Sequence, residues 1–293
     1  MKIKVGRRNI EVSNADKVLF PDAGIAKGDL VDYYRRIAEA MLPHIRDRPL
    51  NLHRFPDGID AGGFYQQNVP DYFPDWIARA RLRKQDGVVE HCLCNDAATL
   101  VYLAGQACIT PHAWLARAEH PRHPDRMIFD LDPPDDEFEL ARFAARTIRA
   151  VLKDTGIASF VMTTGSRGLH VVVPLDAEAD FARRVASAAA ARAPQRLTTE
   201  QRKGRRNGRL YLDIMRNAYG QTAVAPYAVR AKPSAPVATP LEWDELDNTR
   251  LRSNSHRIGN IFGRLARRQD PWRGIGRHAV TVRAHEAALS RLA

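Results

Sequence analysis

The chain has 293 residues, of which 44% are hydrophobic and 27% charged, and its formal net charge is +11. This length suits one large domain or two modules. Because no apolar run approaches the length of a membrane span, an integral membrane protein is excluded, and three cysteines are too few for a disulfide scaffold. The excess of Lys and Arg is typical of proteins that meet nucleic acid, although a solvated basic surface fits the charge equally well.

The first 120 residues predict strands and helices in mixed order. Residues 1–12 are expected to form one or two strands rather than a signal peptide, which predicts a cytoplasmic location and no membrane partner. KGDLVDYYRRIAEAMLPHI (27–45) has the three- and four-residue apolar spacing of a helix. RPLNLHR and VVEHCLC predict strands, and the alternation in HCLC favours a strand over a zinc site. The glycines and prolines of 60–76 predict a long loop, and a helix is expected from DAATL to near Pro111.

The rest of the chain continues this mixture. MIFDL (127–131) predicts a buried strand, EFELARFAARTIRAVLKDTG (137–156) an amphipathic helix, and ASFVMTTGSRGLHVVVPL (158–175) two strands around a turn. DFARRVASAAAARAPQ predicts a helix, and RKGRRNGRLYLDIMRN (202–217) a basic segment that runs into a strand. QTAVAPYAVRAK is strand-like and is followed by a proline-rich stretch. IGNIFGRLARR and AVTVRAHEAALSRLA (279–293) predict helices.

Because strands and helices alternate without a strict βαβ repeat, we predict an α/β (α+β) fold with a substantially antiparallel sheet. The sequence contains no internal repeat and no clear linker. EHPRHPDR is the best candidate for a boundary, and it divides the chain into a module of residues 1–120 and a module of residues 121–293.

Two aspartates stand one residue apart in MIFDLDPPDDEFE. Alternate residues of a strand point to the same side, so Asp130 and Asp132 are expected to project together. Pro133 and Pro134 cannot donate ladder hydrogen bonds and should end the strand there. Two ionised carboxylates at such a distance repel each other unless a cation or a shared proton lies between them.

A third aspartate, Asp213, lies in the alternating segment GRLYLDIMRN and is expected on an otherwise buried strand. A buried carboxylate must be paired, hydrogen-bonded or metal-bound. Three carboxylates around one point form a hard-oxygen site for Mg²⁺ or Mn²⁺. Two such ions are the usual apparatus of in-line phosphoryl transfer.

TTGSRGLH (163–170) combines two glycines with polar and cationic side chains. The glycines let backbone N–H groups approach an anion closely, and Ser166, Arg167 and His170 cluster beside them. A simple hairpin explains the glycines but not this cluster. Three further cations follow in the next predicted strands: Arg216, Arg230 and Lys232. Of these, Arg230 and Lys232 are expected to share one face of a strand. Together these side chains are suited to a triphosphate whose metal ions lie on the acids.

Four of these stretches resemble one family: NADKVLFPDAGIAKGDL, DLDPP, TTGSRGLHVVVPL and LDIMRNAYGQTAVAPYAVRAKPSAPVATPLEWDEL. They resemble the polymerase domain of bacterial ligase D, in the archaeo-eukaryotic primase superfamily, over about residues 3–273. The resemblance implies a primase-like catalytic core with an RNA-recognition-motif-like antiparallel sheet and an N-terminal α/β module. It implies a template-directed nucleotidyltransferase of non-homologous end joining, which extends DNA ends or fills gaps with NTPs or dNTPs.

The resemblance also assigns roles to residues. It implies that two Mn²⁺ or Mg²⁺ ions are held by the catalytic acids Asp130, Asp132 and Asp213. It places the following residues around the incoming nucleotide: His112, Thr164, Ser166, Arg167, His170, Arg216, Arg230 and Lys232. His112 and Thr164 match positions near the sugar, which predicts a preference for ribonucleotides. It places these residues on DNA: Lys17 and Lys27 at a 5′-phosphate, and Phe64 and Tyr65 on the template.

Partners follow from the same resemblance. They are DNA with 5′-phosphorylated gaps or ends, an ATP-dependent DNA ligase and a Ku-type end-binding protein, with the protein at the nucleoid when it is on DNA. The chain departs from the family where Thr164 and Arg167 replace the more common Ser and Lys, and it is too short for the ligase and phosphoesterase modules of ligase D. Two alternatives stay open: a DNA-end synapsis module with incidental catalysis, and a metal-dependent nuclease.

Overall fold

The computed structural model describes residues 1–84, 87–176, 179–281 and 285–289. In these residues the helices are α1 Lys27–Ile45, α2 Ala97–Gly105, α3 Phe138–Asp154, α4 Ala179–Arg192, α5 Ile261–Arg267 and α6 Glu286–Leu289. The strands are β1 Lys2–Val5, β2 Arg8–Glu11, β3 Val18–Phe20, β4 Ile25–Ala26, β5 Pro49–Arg54, β6 Phe64–Gln66, β7 Arg79–Lys84, β8 Gly87–Leu93, β9 Cys108–Trp114, β10 Arg126–Leu131, β11 Phe160–Thr163, β12 Leu169–Asp176, β13 Leu197–Thr198, β14 Leu210–Tyr211, β15 Thr222–Val224, β16 Thr239–Leu241 and β17 Val280–Thr281. Helices combined with mostly antiparallel strand pairs confirm the predicted fold class. Across the described ranges, no helix is long and apolar enough to cross a membrane.

The chain forms two compact units. The first contains Met1–Pro121, Thr222–Ala238 and His256–Arg267, and the second contains Arg122–Gln221, Thr239–Ser255 and the described part of Arg268–Ala293. The first segment ends one residue after the boundary predicted from the sequence. The structure differs from the predicted contiguous division because two later segments join the first unit, one of them through the pairing of β15 with β9.

A mostly antiparallel sheet organises the first unit. Its strand order is β15-β9-β5-β8-β7, and β6 pairs with the far end of β5. The helices α1 and α2 contact each other, and buried side chains of α1 reach the neighbouring loops. The Tyr34 hydroxyl donates to the carbonyl of Ile109 at 2.6 Å, and the Tyr33 hydroxyl donates to that of Tyr227 at 2.7 Å. Both tyrosines are buried, so these bonds tie α1 to the strands and loops that follow it.

A second antiparallel sheet organises the second unit, in the order β10-β12-β11-β16, with β17 parallel to the end of β12. Helices α3 and α4 pack on it through their apolar faces. Every third or fourth residue of α3 is apolar, as at Leu140, Ala144, Ile148 and Val151, and each of these is buried. This layer of helices leaves the ends of the strands to carry polar side chains.

Several predicted elements agree closely with the structure. The helix predicted at 27–45 is α1, and the turn at its start is stabilised because the Ala26 N–H donates to the Asp29 carboxylate at 2.8 Å. The hairpin predicted around TTGSRG is formed by β11 and β12. Gly156 follows α3 with φ of 75°, a left-handed conformation that glycine adopts without strain.

Other predictions in the first unit were wrong. The segment 60–76 contains the strand β6, because Phe64 pairs with Arg54 of β5. The helix expected to reach Pro111 ends at Gly105, and the strand β9 follows it. Pro111 is tolerated there because β15 ends at Val224, opposite His112, so the missing N–H falls beyond the end of that partner strand.

Three predictions later in the chain were also wrong. Asp213 does not lie on a continuous strand, since β14 ends at Tyr211. Arg230 and Lys232 lie in a tight turn, where the Lys232 N–H donates to the Arg230 carbonyl at 2.8 Å, and not on one strand face. The prediction of one helix over 279–293 was wrong in part: Val280–Thr281 form β17, whereas Glu286–Leu289 are helical as α6, and residues 282–284 and 290–293 lie outside the described residues.

Candidate active site

One cavity of about 530 Å³ in the second unit is lined by all three predicted acids, Asp130, Asp132 and Asp213. Asp130 is the second-last residue of β10, and 12% of its side chain is exposed. Asp132 follows the strand, and 48% of its side chain is exposed. Pro133 and Pro134 come next and also line the cavity. The carboxylate pair therefore lies where a buried strand opens into a polar space.

Asp213 reaches the cavity through direct backbone pairing with β10. The Asp130 N–H donates to the Asp213 carbonyl at 2.9 Å, and the Asp213 N–H donates to the Asp130 carbonyl at 3.3 Å. One carboxylate oxygen of Asp213 accepts the N–H of Met215 at 2.8 Å, which orients the side chain. An isolated bridge, rather than a strand, thus fixes the third acid beside the first.

Two basic side chains contact the Asp130 carboxylate. His170 is the cross-strand partner of Asp130, and its Nε2 lies 3.3 Å from Asp130 Oδ1. The Arg216 Nε–H donates to Asp130 Oδ2, also at 3.3 Å. Burial alone would raise the pKa of Asp130, but the charges and hydrogen bonds of His170 and Arg216 outweigh burial and lower that pKa to about 2. The carboxylate is therefore ionised and already neutralised by protein groups.

The turn between β11 and β12 lies beside the other acid. Gly165 has φ of 66°, which only glycine adopts readily. Arg167 places Nη2 3.6 Å from Asp132 Oδ2, and the Arg167 side chain is 55% exposed. The hydroxyl of Thr164 is buried and accepts the N–H groups of Ser166 and Gly168, each at 3.3 Å. The hydroxyl predicted to lie near the sugar thus has partners inside its own turn.

The sequence identified residues 202–217 as a basic segment but gave no role at the site to its first half, which lines the same cavity. Lys203, Arg206 and Arg209 contribute to its wall. Arg206 donates from Nη2 to the Gln201 carbonyl at 2.6 Å, and Arg209 from Nε to the Arg206 carbonyl at 2.8 Å. These bonds hold the loop in a compact form with its charge near the acids. The run RKGRRNGR was the available signal, but nothing in it indicated proximity to Asp130.

In the first unit, the predicted His112 belongs to a cluster of rings. Tyr65 packs edge-on against His112 at 5.6 Å between ring centroids, and it stacks on His53 at 4.0 Å with 12° between the ring planes. Tyr65 and Phe64 are 57% and 47% exposed, so much of their ring surface is accessible to solvent. The sequence analysis missed His53. Strand alternation in NLHRF places His53 on the same face as Asn51, and Asn51 lies opposite His112 in the pairing of β5 with β9.

Burial lowers the pKa of His53, and the nearby charge of Arg230 lowers it further. The structure therefore brings Arg230 near the ring cluster of the first unit. Lys232, in the same turn, is exposed.

Lys17 and Lys27 are neighbours in the structure. The Lys27 N–H donates to the Lys17 carbonyl at 2.8 Å, next to the paired strands β3 and β4. Lys17 Nζ lies 2.5 Å from a carboxylate oxygen of Asp57, and buried Lys27 donates from Nζ to the Ser13 carbonyl at 2.7 Å. Burial lowers the pKa of Lys27, and the charges of Lys17 and Arg54 add to this effect. An anion bound here would relieve that repulsion.

The chemistry of the acids fits a hard divalent cation, since carboxylate oxygens are the ligands that Mg²⁺ and Mn²⁺ prefer. In the described part of the chain, however, no three His, Cys, Asp or Glu side chains lie close enough together to hold a metal ion. Arg216, His170 and Arg167 contact the acids instead. The carboxylate oxygens that could bind a cation are therefore present, and basic side chains balance the charges of Asp130 and Asp132.

A family model described as "LigD, primase-polymerase domain" matches residues 26–272. The chain belongs to the LigD primase-polymerase family. It is 34% identical over 279 residues to the "Multifunctional non-homologous end joining DNA repair protein LigD" of Mycobacterium tuberculosis (strain H37Rv), and the alignment covers 90% of this chain and 36% of that protein. It is 30% identical over 271 residues to the "Bifunctional non-homologous end joining protein LigD" of Bacillus subtilis, with 90% and 43% covered.

The structure resembles a solved LigD domain. It matches the "Polymerase Domain from Mycobacterium tuberculosis Ligase D in complex with DNA" with a TM-score of 0.85 and 33% sequence identity, covering 92% of this chain and 99% of that one. This likeness confirms the family predicted from the motifs. The chain spans only about a third to two fifths of the length of these two LigD relatives.

Proposed function

We propose that this chain is a template-directed nucleotidyltransferase that extends DNA ends or fills gaps with NTPs or dNTPs, ribonucleotides preferred, in non-homologous end joining. The observation that carries the proposal is the shared cavity of Asp130, Asp132 and Asp213, walled by basic side chains, in a chain of the LigD primase-polymerase family. The solved relative was determined with DNA. The net charge of +11 supports the same partner.

The acids are proposed to hold two Mn²⁺ or Mg²⁺ ions. When bound, these ions lower the pKa of the primer 3′-hydroxyl and neutralise the triphosphate. Asp130, Asp132 and Asp213 then supply the ligand oxygens. Arg216 and Arg167 contact Asp130 and Asp132, and we propose that they turn from the carboxylates to the phosphates of a bound nucleotide.

This exchange of partners has an electrostatic reason. With divalent cations held by the acids, the guanidinium groups of Arg216 and Arg167 would no longer be needed to balance the carboxylate charges, and they would donate charge-assisted hydrogen bonds to the negative phosphates. His170 stays beside Asp130, where it is the cross-strand neighbour. Metal and nucleotide should therefore bind cooperatively, because each removes a charge that opposes the other.

The residues of the first unit carry proposed roles that rest on the resemblance and on the local geometry described above. His112, Arg230 and Lys232 are proposed to contact the nucleotide, and exposed Phe64 and Tyr65 to stack on the template. Lys17 and Lys27 are proposed to bind a 5′-phosphate. A ligase and a Ku-type protein are the proposed partners in the pathway.

A DNA-end synapsis module with weak or incidental catalysis is the second candidate. It is favoured by the basic groups that already neutralise Asp130 and Asp132. Primer extension with Mn²⁺ on a gapped template separates the two. Addition of template-matched nucleotides supports the polymerase, DNA binding without addition supports the synapsis module, and degradation of DNA without nucleotides would indicate a nuclease.

A further inference from the structure

The turn that carries Arg167 is pressed against the end of β10. A Cβ atom on Gly168 would lie 2.1 Å from the carbonyl oxygen of Leu131 and 2.8 Å from Oδ1 of Asp132. No side chain fits in that space, so Gly168 approaches the acid-bearing strand with its backbone alone. A small displacement of the turn would therefore change the spacing between Arg167 and Asp132, which is 3.6 Å.

A serine from a later loop holds the opposite side of this turn. Ser253 is 4% exposed, and its hydroxyl donates to the Gly168 carbonyl at 2.8 Å. Its oxygen also lies 3.2 Å from the Thr164 hydroxyl. The Thr164 N–H donates to the same Gly168 carbonyl at 3.1 Å. Ser253 thus contacts both arms of the turn at the point where they close.

Ser253 is itself held in place by α3. Arg142 is 2% exposed, and its Nη2 donates to the carbonyls of Asn248 and Leu251 at 3.1 and 3.2 Å. Its Nη1 donates to the Glu139 carboxylate at 2.9 Å. A buried guanidinium in a network of several acceptors resists displacement, because each lost bond would leave a buried polar group unpaired. The loop that carries Ser253 is therefore anchored to the helical layer.

We infer that Ser253 is a positioning residue for nucleotide binding: through the Gly168 carbonyl and Thr164 it clamps the turn that presents Arg167 beside Asp132. The inference rests on the proposed function, since Arg167 is proposed to bind a phosphate of the nucleotide. Among the described residues, Ser253 is not part of the cavity wall. Its effect is exerted through the turn.

The test compares three variants. Ser253→Ala removes the hydroxyl and Ser253→Thr keeps it. Ser255→Ala is the control: it removes a hydroxyl of the same loop, one that accepts the Arg252 N–H at 2.8 Å. For each protein we would measure KM and kcat for nucleotide addition, the affinity for a non-hydrolysable NTP with Mn²⁺, the affinity for Mn²⁺ alone, and hydrogen exchange of the peptide 163–169.

Loss of one buried hydrogen bond at the turn should raise KM and weaken NTP binding on the order of tenfold in Ser253→Ala. Exchange of 163–169 should become faster, while kcat and Mn²⁺ affinity change less than about threefold, since the acids keep their own backbone bonds. Ser253→Thr should restore NTP affinity, and Ser255→Ala should match the wild type. An Ala variant with wild-type NTP affinity and wild-type exchange would overturn the clamp.

A Ser253→Ala protein with a lower kcat, a higher KM, weaker Mn²⁺ binding and a lower melting temperature, all to a similar degree, would also overturn the clamp. Such a result would indicate a general structural role. The proposed function fails separately. If the wild-type protein adds no nucleotide, the proposed reaction is wrong. The exchange and NTP titration of the variants then still decide whether Ser253 controls the turn.

Discussion

Asp130 and Asp213 hydrogen-bond to each other through their backbones in both directions, at 2.9 and 3.3 Å. This reciprocal pair places two carboxylates from distant parts of the chain side by side. Because the backbones are fixed, a change in one side chain should leave the other in position. The acids can therefore be tested one at a time.

Replacing Asp130, Asp132 or Asp213 by Asn should each reduce nucleotide addition at least about 100-fold, since each change removes a charged ligand oxygen from a proposed metal site. DNA binding should stay near the wild-type level, because the basic surface is unchanged. Primer extension and a DNA-binding titration measure the two effects. Asp154→Asn is the control, as Asp154 is a half-exposed acid paired with Arg192 on the same unit. Near wild-type extension by the Asp213 variant would refute the metal assignment.

Gly168→Ala should impair the site more severely than its size suggests. The added Cβ would meet the Leu131 carbonyl at 2.1 Å, so the turn or β10 must move. We expect a loss of stability of about 1–3 kcal/mol, as for other overpacked sites, and a loss of nucleotide affinity. Thermal unfolding and NTP titration measure these changes. Gly276→Ala, where the added atom meets nothing within 4 Å, is the control and should have little effect.

His112→Ala should reduce the preference for ribonucleotides. A site that hydrogen-bonds a sugar hydroxyl discriminates against substrates without it, and the ring of His112 is fixed against Tyr65. The ratio of kcat/KM for NTP over dNTP should fall on the order of tenfold. His120→Ala, at an exposed position of the same unit, should keep the wild-type ratio. A wild-type protein that uses both sugars equally would contradict the prediction.

The double change Lys17→Ala, Lys27→Ala should erase the preference for gapped DNA with a 5′-phosphate over the same DNA with a 5′-hydroxyl. A phosphate monoester carries nearly two charges and an internal phosphodiester one, so convergent ammonium groups favour the end. Each contact should contribute on the order of 1 kcal/mol at low salt. Fluorescence titrations on both DNAs, with Lys2→Ala, Lys4→Ala as the control pair, measure the effect. A phosphate preference preserved in the double variant would mean that Lys17 and Lys27 are ordinary surface lysines without a role in binding the 5′-phosphate.

The same preference should depend on pH. Burial, followed by Lys17 and Arg54, lowers the pKa of Lys27 below its ordinary 10.5. The folded protein therefore loses this proton at a lower pH than the unfolded chain does, and the phosphate preference should weaken before pH 10.5 is reached. Lys17→Ala removes one repelling charge and should move the loss to higher pH. Titrations at increasing pH would show this, and an identical profile in both proteins would exclude Lys27 as the titrating group.

Local patterns in the sequence were sufficient for the elements whose stability is mainly local. The spacing of Leu30, Tyr33, Tyr34 and Ile37 specified the helix α1, and TTGSRGLH specified a turn between two strands. The alternation in MIFDLDPP placed Asp130 and Asp132 at the end of a strand. These features depend on residues a few positions apart, so the chain itself carries the information.

Contacts between distant segments depended on the tertiary structure. Phe64 lies in a strand because it pairs with the edge of β5. Pro111 is accommodated in β9 because β15 ends beside it. Asp213 needed no strand of its own, since a single bridge to Asp130 holds it. Ser253 gave no signal in the sequence, because its hydroxyl gains a partner only when Arg142 anchors its loop near Gly168. Hydrophobic period and turn chemistry act locally, whereas pairing registers and buried hydrogen bonds are decided by packing of the whole chain.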